Sequence, residues 1–171
     1  MAVREIRKYG DPVLRAKANP IADVDEEIRA LATDMLDTLA KAEGVGLAGP
    51  QVGEERRIIV VHPPPPADDE EREEPRVYLN PEIVEKRGPQ ETEEEGCLSI
   101  PGIYETVRRP HGVRVRARSL EGEDLEFDAE GMLARIFLHE IDHLDGVLFI
   151  DKIGPMRRAL LKRRLKEMAE E

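Results

Sequence analysis

The segment Leu133-Ala-Arg-Ile-Phe-Leu-His-Glu-Ile-Asp-His-Leu144 constrains this chain more than any other stretch. Its apolar residues recur at helical spacing, and His139 and His143 stand four residues apart. On a helix, such residues lie one turn above each other on the same face. Two imidazole nitrogens can then converge on one point, with Glu140 beside them to take a proton from water bound there. Two of the four histidines in the chain fall at this spacing around a glutamate. That favours a metal-binding helix, over about residues 129–144, against a surface helix with chance histidines. Met132, Ile136, His139 and His143 share a face. An apolar wall would thus lead to the metal, suited to an unbranched apolar side chain such as methionine; Met132 and Ile136 read equally well as core.

The other elements are shorter. Residues 1–24, with Gly10-Asp11-Pro12 and Asn19-Pro20, read as an extended arm with turns. Asp23 or Asp25 can cap an amphipathic helix over about residues 25–43, carrying Ile28, Leu31, Ala32, Met35 and Leu39 on one face. Gly44 and Gly46 read as its stop. Ile58–Val61 is a short buried strand. Pro63–Pro66 and the acidic run Asp68–Glu74 read as a solvated loop. Val77–Pro81 and Ile83-Val84 read as strand material broken by proline, and Glu91–Glu95 as an acidic cluster. Val113–Ala117 alternates at period two with arginines outward, and Leu125–Phe127 is its hairpin partner across Glu121-Gly122. Leu148–Ile150 is a strand or packed turn, and Pro155 opens a last helix over about 155–169. Hairpins beside separate helices predict an α+β fold. Antiparallel β-sheets would pack around the central HExxH helix, with an N-terminal and a C-terminal helix, all within one domain over residues 1–171.

Composition narrows the setting. A net charge of −11 argues against DNA or general nucleic-acid binding. No apolar run of about 18 residues exists, so no membrane span is expected. One cysteine rules out an internal disulfide and fits a reducing cytoplasm. No interface signal stands out, so a monomer is expected.

Two histidines need a third ligand. A third histidine six residues after His143 would complete one common arrangement, but Phe149 stands there. Glu167 would complete another, although it lies among basic residues on the last helix. His62 and His111 sit in proline-flanked loops and read as surface residues. Cys97, in Glu95-Gly-Cys-Leu-Ser-Ile-Pro-Gly102, is the stronger candidate. Its acidic neighbours disfavour a free thiolate, whereas a divalent cation deprotonates a coordinating thiol outright. Taken alone, Cys97 also reads as a small core residue.

Gly44-Val45-Gly46-Leu47-Ala48-Gly49-Pro50-Gln51, Glu95-Gly96-Cys97-Leu98-Ser99 and His139-Glu140-Ile141-Asp142-His143 together resemble the three motifs of the peptide deformylases, in order and at similar separations. The resemblance runs from Tyr9 to Asp151. It differs at Gly49, where the family usually has alanine, and at Leu138, where it often has glutamine. It implies removal of the formyl group from the N-terminal methionine of newly made polypeptides, releasing formate. It also implies one divalent metal per chain, natively Fe2+, with Zn2+, Ni2+ or Co2+ able to replace it. Cys97, His139 and His143 would hold the metal. Glu140 would shuttle the proton, and Gln51 with the Leu98 backbone N–H would stabilise the oxyanion. Gly44, Val45 and Gly46 would lie along the substrate backbone. Asp142 and Arg109 read either as supports of the site or as surface residues. The basic residues Arg157, Arg158, Lys162, Arg163, Arg164 and Lys166 form a solvated face or a ribosome-docking surface, suited to an enzyme of N-formylmethionyl nascent peptides. The competing reading is a small HExxH metallopeptidase that uses Glu167.

Overall fold

In chain order the elements are α1 (Glu26–Ala42), β1 (Gly46–Ala48), β2 (Ile58–Val61), β3 (Arg76–Cys97), β4 (Ile100–Arg118), β5 (Asp124–Glu130), α2 (Gly131–Leu144) and α3 (Pro155–Ala169). The computed structural model describes residues 2–66 and 71–170. The strands form one antiparallel meander in the order β1-β2-β3-β4-β5, so the class is α+β with a single sheet where several were expected.

β2 explains how the helices are placed. All four of its side chains are buried. Successive residues on a strand point to opposite faces. Ile58 and Val60 pack with Leu31, Met35 and Leu39 of α1. Ile59 and Val61 pack on the other side with Phe137 and Ile141 of α2. A continuous apolar run is what a strand covered on both faces requires, and each such side chain adds about 1.5–3 kcal/mol on burial. Leu138, where a polar residue would have lined the helix, is buried in this second core.

α1 starts at the cap Asp25, whose Oδ1 accepts the Ile28 N–H at 2.9 Å. It ends before Gly44: the left-handed residue is Glu43, at φ 55°. Gly44 is small for a different reason, since a Cβ there would stand 2.9 Å from a Leu39 methyl and 3.0 Å from one of Leu98.

β3 corrects the expected break at proline. It runs 22 residues, and its pairing with β4 slips between Leu79 and Glu82. Asn80 turns there with φ 49°, and its side-chain amide clips both backbone groups of Ile21. Pro81 sits in this irregularity, where the ladder asks no N–H of it. A second slip between Arg87 and Gln90 absorbs Gly88-Pro89. Glu91–Glu95 is therefore strand. Of the acidic run Asp68–Glu74, residues 68–70 lie outside the described residues, and 71–74 join no strand. The β4–β5 hairpin turns as expected, with Arg114 and Arg116 outward against Glu126 and Asp128, but β4 begins at Ile100, well before the expected Val113.

A third core joins Ile100, Ile103 and Val107 of β4 to Leu161 and Leu165 of α3, with Leu14 and the packed turn Leu148–Ile150. The C-terminus of α2 is closed by donors: the Leu144 carbonyl accepts the Ala18 N–H at 2.8 Å and an Arg57 N–H at 3.0 Å. The turn after α2 is pinned by Asp151, which accepts the Leu148 N–H and pairs with Arg15 and Arg158. Burial alone would raise the Asp151 carboxyl, but the bonds from Arg15, Leu148 and Arg158 outweigh it and lower it to about 2. Asp151→Asn is therefore expected to cost about 1 kcal/mol at pH 7, the shift being discounted for the side chain's exposure. The folded-state value lies below the ordinary one, so this contribution is complete above about pH 4 and fades as pH falls toward 2. Urea unfolding of both proteins at several pH values would measure it, and a constant difference across that range would contradict it.

Candidate active site

The three motifs meet where the end of β3 crosses α2. Ligand atoms of Cys97, His139 and His143 all lie within 4.8 Å of one another, and the Cys97 sulfur is 3.4 Å from His143 Nε2. Tetrahedral donors at metal–sulfur and metal–nitrogen distances of about 2.3 and 2.0 Å stand roughly 3.5 Å apart. The donor set therefore fits a metal ion. Among the described residues, these three form the only such cluster of His, Cys, Asp and Glu side chains.

Of the other candidates, Glu167, His62 and His111 do not join this cluster, and His111 lies in β4 rather than in a loop. Glu167 pairs with Arg163 on the surface of α3, and His111 pairs with Glu91 at 2.6 Å. Phe149 stacks on the His139 ring, with centroids 6.0 Å apart.

His139 is oriented by Glu95, whose Oε1 accepts from Nδ1 at 2.9 Å, so Nε2 is left for the metal. Glu95 also accepts from Arg109 Nε (2.6 Å) and Nη2 (3.0 Å) and from Arg135 Nη1 (2.7 Å). Burial pushes this carboxyl up, but the His139 and Arg109 hydrogen bonds and the Arg109 charge overcome it and hold it at about 2. Arg109 gives its remaining Nη1 to Asp142 at 2.9 Å. Asp142 thus supports the site through Arg109. Glu95 and Arg135 were not legible in the sequence. The available signal was Glu95's position two residues before Cys97, but it was masked by the exposed Glu93 and Glu94 beside it.

Burial opposes charge on His139, yet the Cys97 and Glu95 groups facing its two nitrogens raise it above the usual range. His143, buried beside His139, is held well below. Glu140 is buried and its Oε1 has no partner within the protein. Burial pushes this carboxyl up to about 7.

Gln51 is fixed at both ends of its amide. The Ala48 N–H donates to Oε1 at 2.9 Å, and Nε2 donates to Ser99 Oγ at 3.1 Å and toward the Cys97 sulfur at 3.5 Å. Gly49 fits where alanine would not, since a Cβ there would stand 2.6 Å from the Arg56 carbonyl.

A cavity of about 390 Å³ opens onto these groups. Gly44, Val45, Gly46, Gln51, Cys97, Leu98, Met132, Ile136, His139 and Glu140 all line it, so these expected residues share one space, while the buried His143 does not line it. Ile136 is buried, while Met132 is 59% exposed at the rim and is not core. Tyr104, 62% exposed, closes another side, its ring lying over Gly96.

A family model described as polypeptide deformylase matches residues 3–159. The peptide deformylase of Acidobacterium capsulatum is 48% identical over 98% of this chain and 96% of its own length. The crystal structure of a peptide deformylase from Legionella pneumophila, 41% identical, superposes with a TM-score of 0.84 over 96% of this chain and 94% of its own. That from Synechococcus elongatus, solved in complex with actinonin, is 39% identical and gives 0.85 over 96% of this chain and 85% of its own. With its metal-fitting cluster, its cavity and this likeness over nearly its whole length, the chain belongs to the polypeptide deformylase family, which are metal-dependent hydrolases.

Proposed function

We propose that this chain, a single catalytic domain over residues 1–171, removes the N-formyl group from the N-terminal methionine of newly synthesised polypeptides and releases formate. The observation that carries the reading is the convergence of Cys97, His139 and His143 at the floor of a cavity with an apolar wall and a buried, unpartnered Glu140 oxygen. The competing peptidase reading falls with Glu167, which is engaged elsewhere.

Cys97, His139 and His143 would hold one divalent metal. Thiolate and imidazole donors suit ferrous iron, the native metal in this reading, and also zinc, nickel or cobalt. When bound, the metal supplies Lewis acidity and an activated water. Glu140 takes the proton of the attacking water at its free Oε1, being held near neutrality by burial, and delivers it to the departing amine nitrogen. Gln51 presents an amide hydrogen beside Cys97, and the Leu98 N–H is its companion donor for the oxygen that gains charge at the formyl carbon. Ile136 and Met132 receive the methionine side chain along the apolar wall. Gly44, Val45 and Gly46 run beside the substrate backbone.

Gly46 does more than leave room for substrate. A Cβ there would stand 2.6 Å from Glu140 Oε2 and 2.8 Å from its Cγ, so the glycine fixes how closely β1 approaches the base.

In this reading the chain acts as a monomer. A ligand that must remain a free thiol supports a reducing cytoplasm. No helix of the described residues is long and apolar enough to cross a membrane. On α3, Arg157 is committed to Glu105, Arg158 to Asp151 and Ile150, Arg163 to Glu167 and Arg164 to the Gly102 carbonyl. In this reading α3 docks to the ribosome through this basic face, with the exposed Lys162 and Lys166 foremost.

Anaerobically prepared Glu140→Gln is expected to retain one metal per chain yet to release formate from a formyl-Met peptide about 10²–10⁴-fold more slowly; parent-like turnover would sink the proposed role. Gly46→Ala should lower kcat by about 100-fold by displacing Glu140, with metal content unchanged. In sedimentation with ribosomes, Lys162→Glu/Lys166→Glu should bind more weakly, and binding by the parent should fall as salt rises. Equal affinity of the two proteins would remove the docking reading.

A further inference from the structure

Arg135 is a buried cation in the wall of the cavity, and the reaction gives it no task. Its Nη1 donates to Glu95 Oε2 at 2.7 Å and to the Val107 carbonyl at 2.8 Å, and its Nη2 donates to the Glu91 carbonyl at 2.9 Å. One side chain of α2 thus grips both β3 and β4 next to the Glu95 carboxylate.

Helix geometry gives this a direction. Arg135 stands four residues before His139, so the two side chains rise from the same face of α2, one turn apart. They reach the same carboxylate by different oxygens: Arg135 takes Oε2, and His139 Nδ1 meets Oε1 at 2.9 Å. Arg109 also grips Glu95, but it comes from β4 and divides its charge with Asp142. Arg109 thus reaches α2 only through Asp142, whereas Arg135 is the cation on the ligand helix itself that holds the Glu95 carboxylate. A planar guanidinium, with donors in a rigid fork, fixes the angle of a carboxylate as well as its charge.

We infer that Arg135 is a positioning residue for His139: it sets the Glu95 carboxylate so that Oε1 meets Nδ1–H and the imidazole presents Nε2 to the metal. The inference rests on the reading that Cys97, His139 and His143 hold that metal. Removing a partner that orients a metal-binding histidine typically costs 10–100-fold in metal affinity. Arg135 acts one bond further out, so an effect of roughly tenfold is expected.

The test uses zinc-loaded protein with ¹⁵N-labelled histidine. Two readings are taken: release of zinc to an excess of chelator, and the resonance of the His139 Nδ1–H proton. Arg135→Ala is expected to release zinc about tenfold faster than the parent and to shift that resonance. Arg135→Lys keeps a charged donor for Glu95 but cannot reach both carbonyls. It should bring the resonance back toward the parent's while unfolding at a lower temperature than the parent. A merely structural brace would alter the unfolding temperature and leave the His139 resonance in place. The inference is overturned if Arg135→Ala keeps the parent's release rate and His139 signal, or if a folded Arg135→Lys fails to recover that signal. Should the alanine variant not fold, Arg135→Met keeps the volume of the stem and carries the same expectations. A parent that holds no stoichiometric zinc would overturn the metal reading and this inference with it. A parent that holds zinc beside unaffected variants overturns the inference alone.

Discussion

The carboxylate of Glu95 is the interaction on which the site depends. It is buried at the end of β3 and accepts from His139 of α2, from Arg109 of β4 and from Arg135 of α2. A buried charge is tolerable when it is paired and fully hydrogen-bonded, and here that condition also fixes geometry. The same donors that compensate Glu95 determine how far α2 lies from the β3–β4 hairpin, and hence where His139 stands relative to Cys97. The irregular pairing between Glu95 and Cys97 in β3 belongs to this arrangement, since a bulge lets residues close in sequence serve different partners.

The other two motifs are held from outside by the N-terminal arm. The Arg7 N–H donates to the Gln51 carbonyl at 2.7 Å, and the Tyr9 N–H to the Ser99 carbonyl at 2.8 Å. Backbone groups that leave regular strands still need partners, and an extended arm can supply them in series. The arm's low content of periodic signals is thus consistent with its work, which is carried by main-chain groups. It joins the segment that presents Gln51 to the segment that presents Cys97 and Leu98, while the Gln51 side chain joins them a second time through Ser99 Oγ.

This pattern explains which parts were legible in the sequence. The ligand helix, α1, the β4–β5 hairpin and α3 announce themselves by periodicity, capping and proline placement, because burial of one face dictates residue type at fixed intervals. Cys97 was reachable because the two-histidine helix required a partner. β3 was not legible as one strand: Pro81 and Gly88-Pro89 normally end strands, and only the slips in its register accommodate them. Glu95 was hidden among Glu91–Glu94 because burial distinguishes it, and burial there depends on Arg109 and Arg135, far along the chain. Gly44 shows the same limit from the other direction. A glycine after a helix ordinarily marks its stop, yet here Glu43 takes the left-handed turn and the missing Cβ leaves space for Leu39 and Leu98.

Charge balance links the support to the chemistry. Glu95 and Asp142 bring two negative charges to the supporting network, and Arg109 and Arg135 bring two positive ones, so it is neutral as a unit. It therefore stiffens the site without offsetting the charges in the cavity itself. In the proposed reading those are the Cys97 sulfur, which a coordinated metal would deprotonate, and the Glu140 carboxylate, which a divalent cation matches in number. A supporting network with a net positive charge would weaken Glu140 as a base. A net negative one would hold Glu140 protonated and leave it no capacity to accept the proton of water. Neutrality of the Glu95 cluster would leave a metal held there as the one charge facing both groups, so that an anionic ligand at the end of β3 and a base on α2 answer to the same cation.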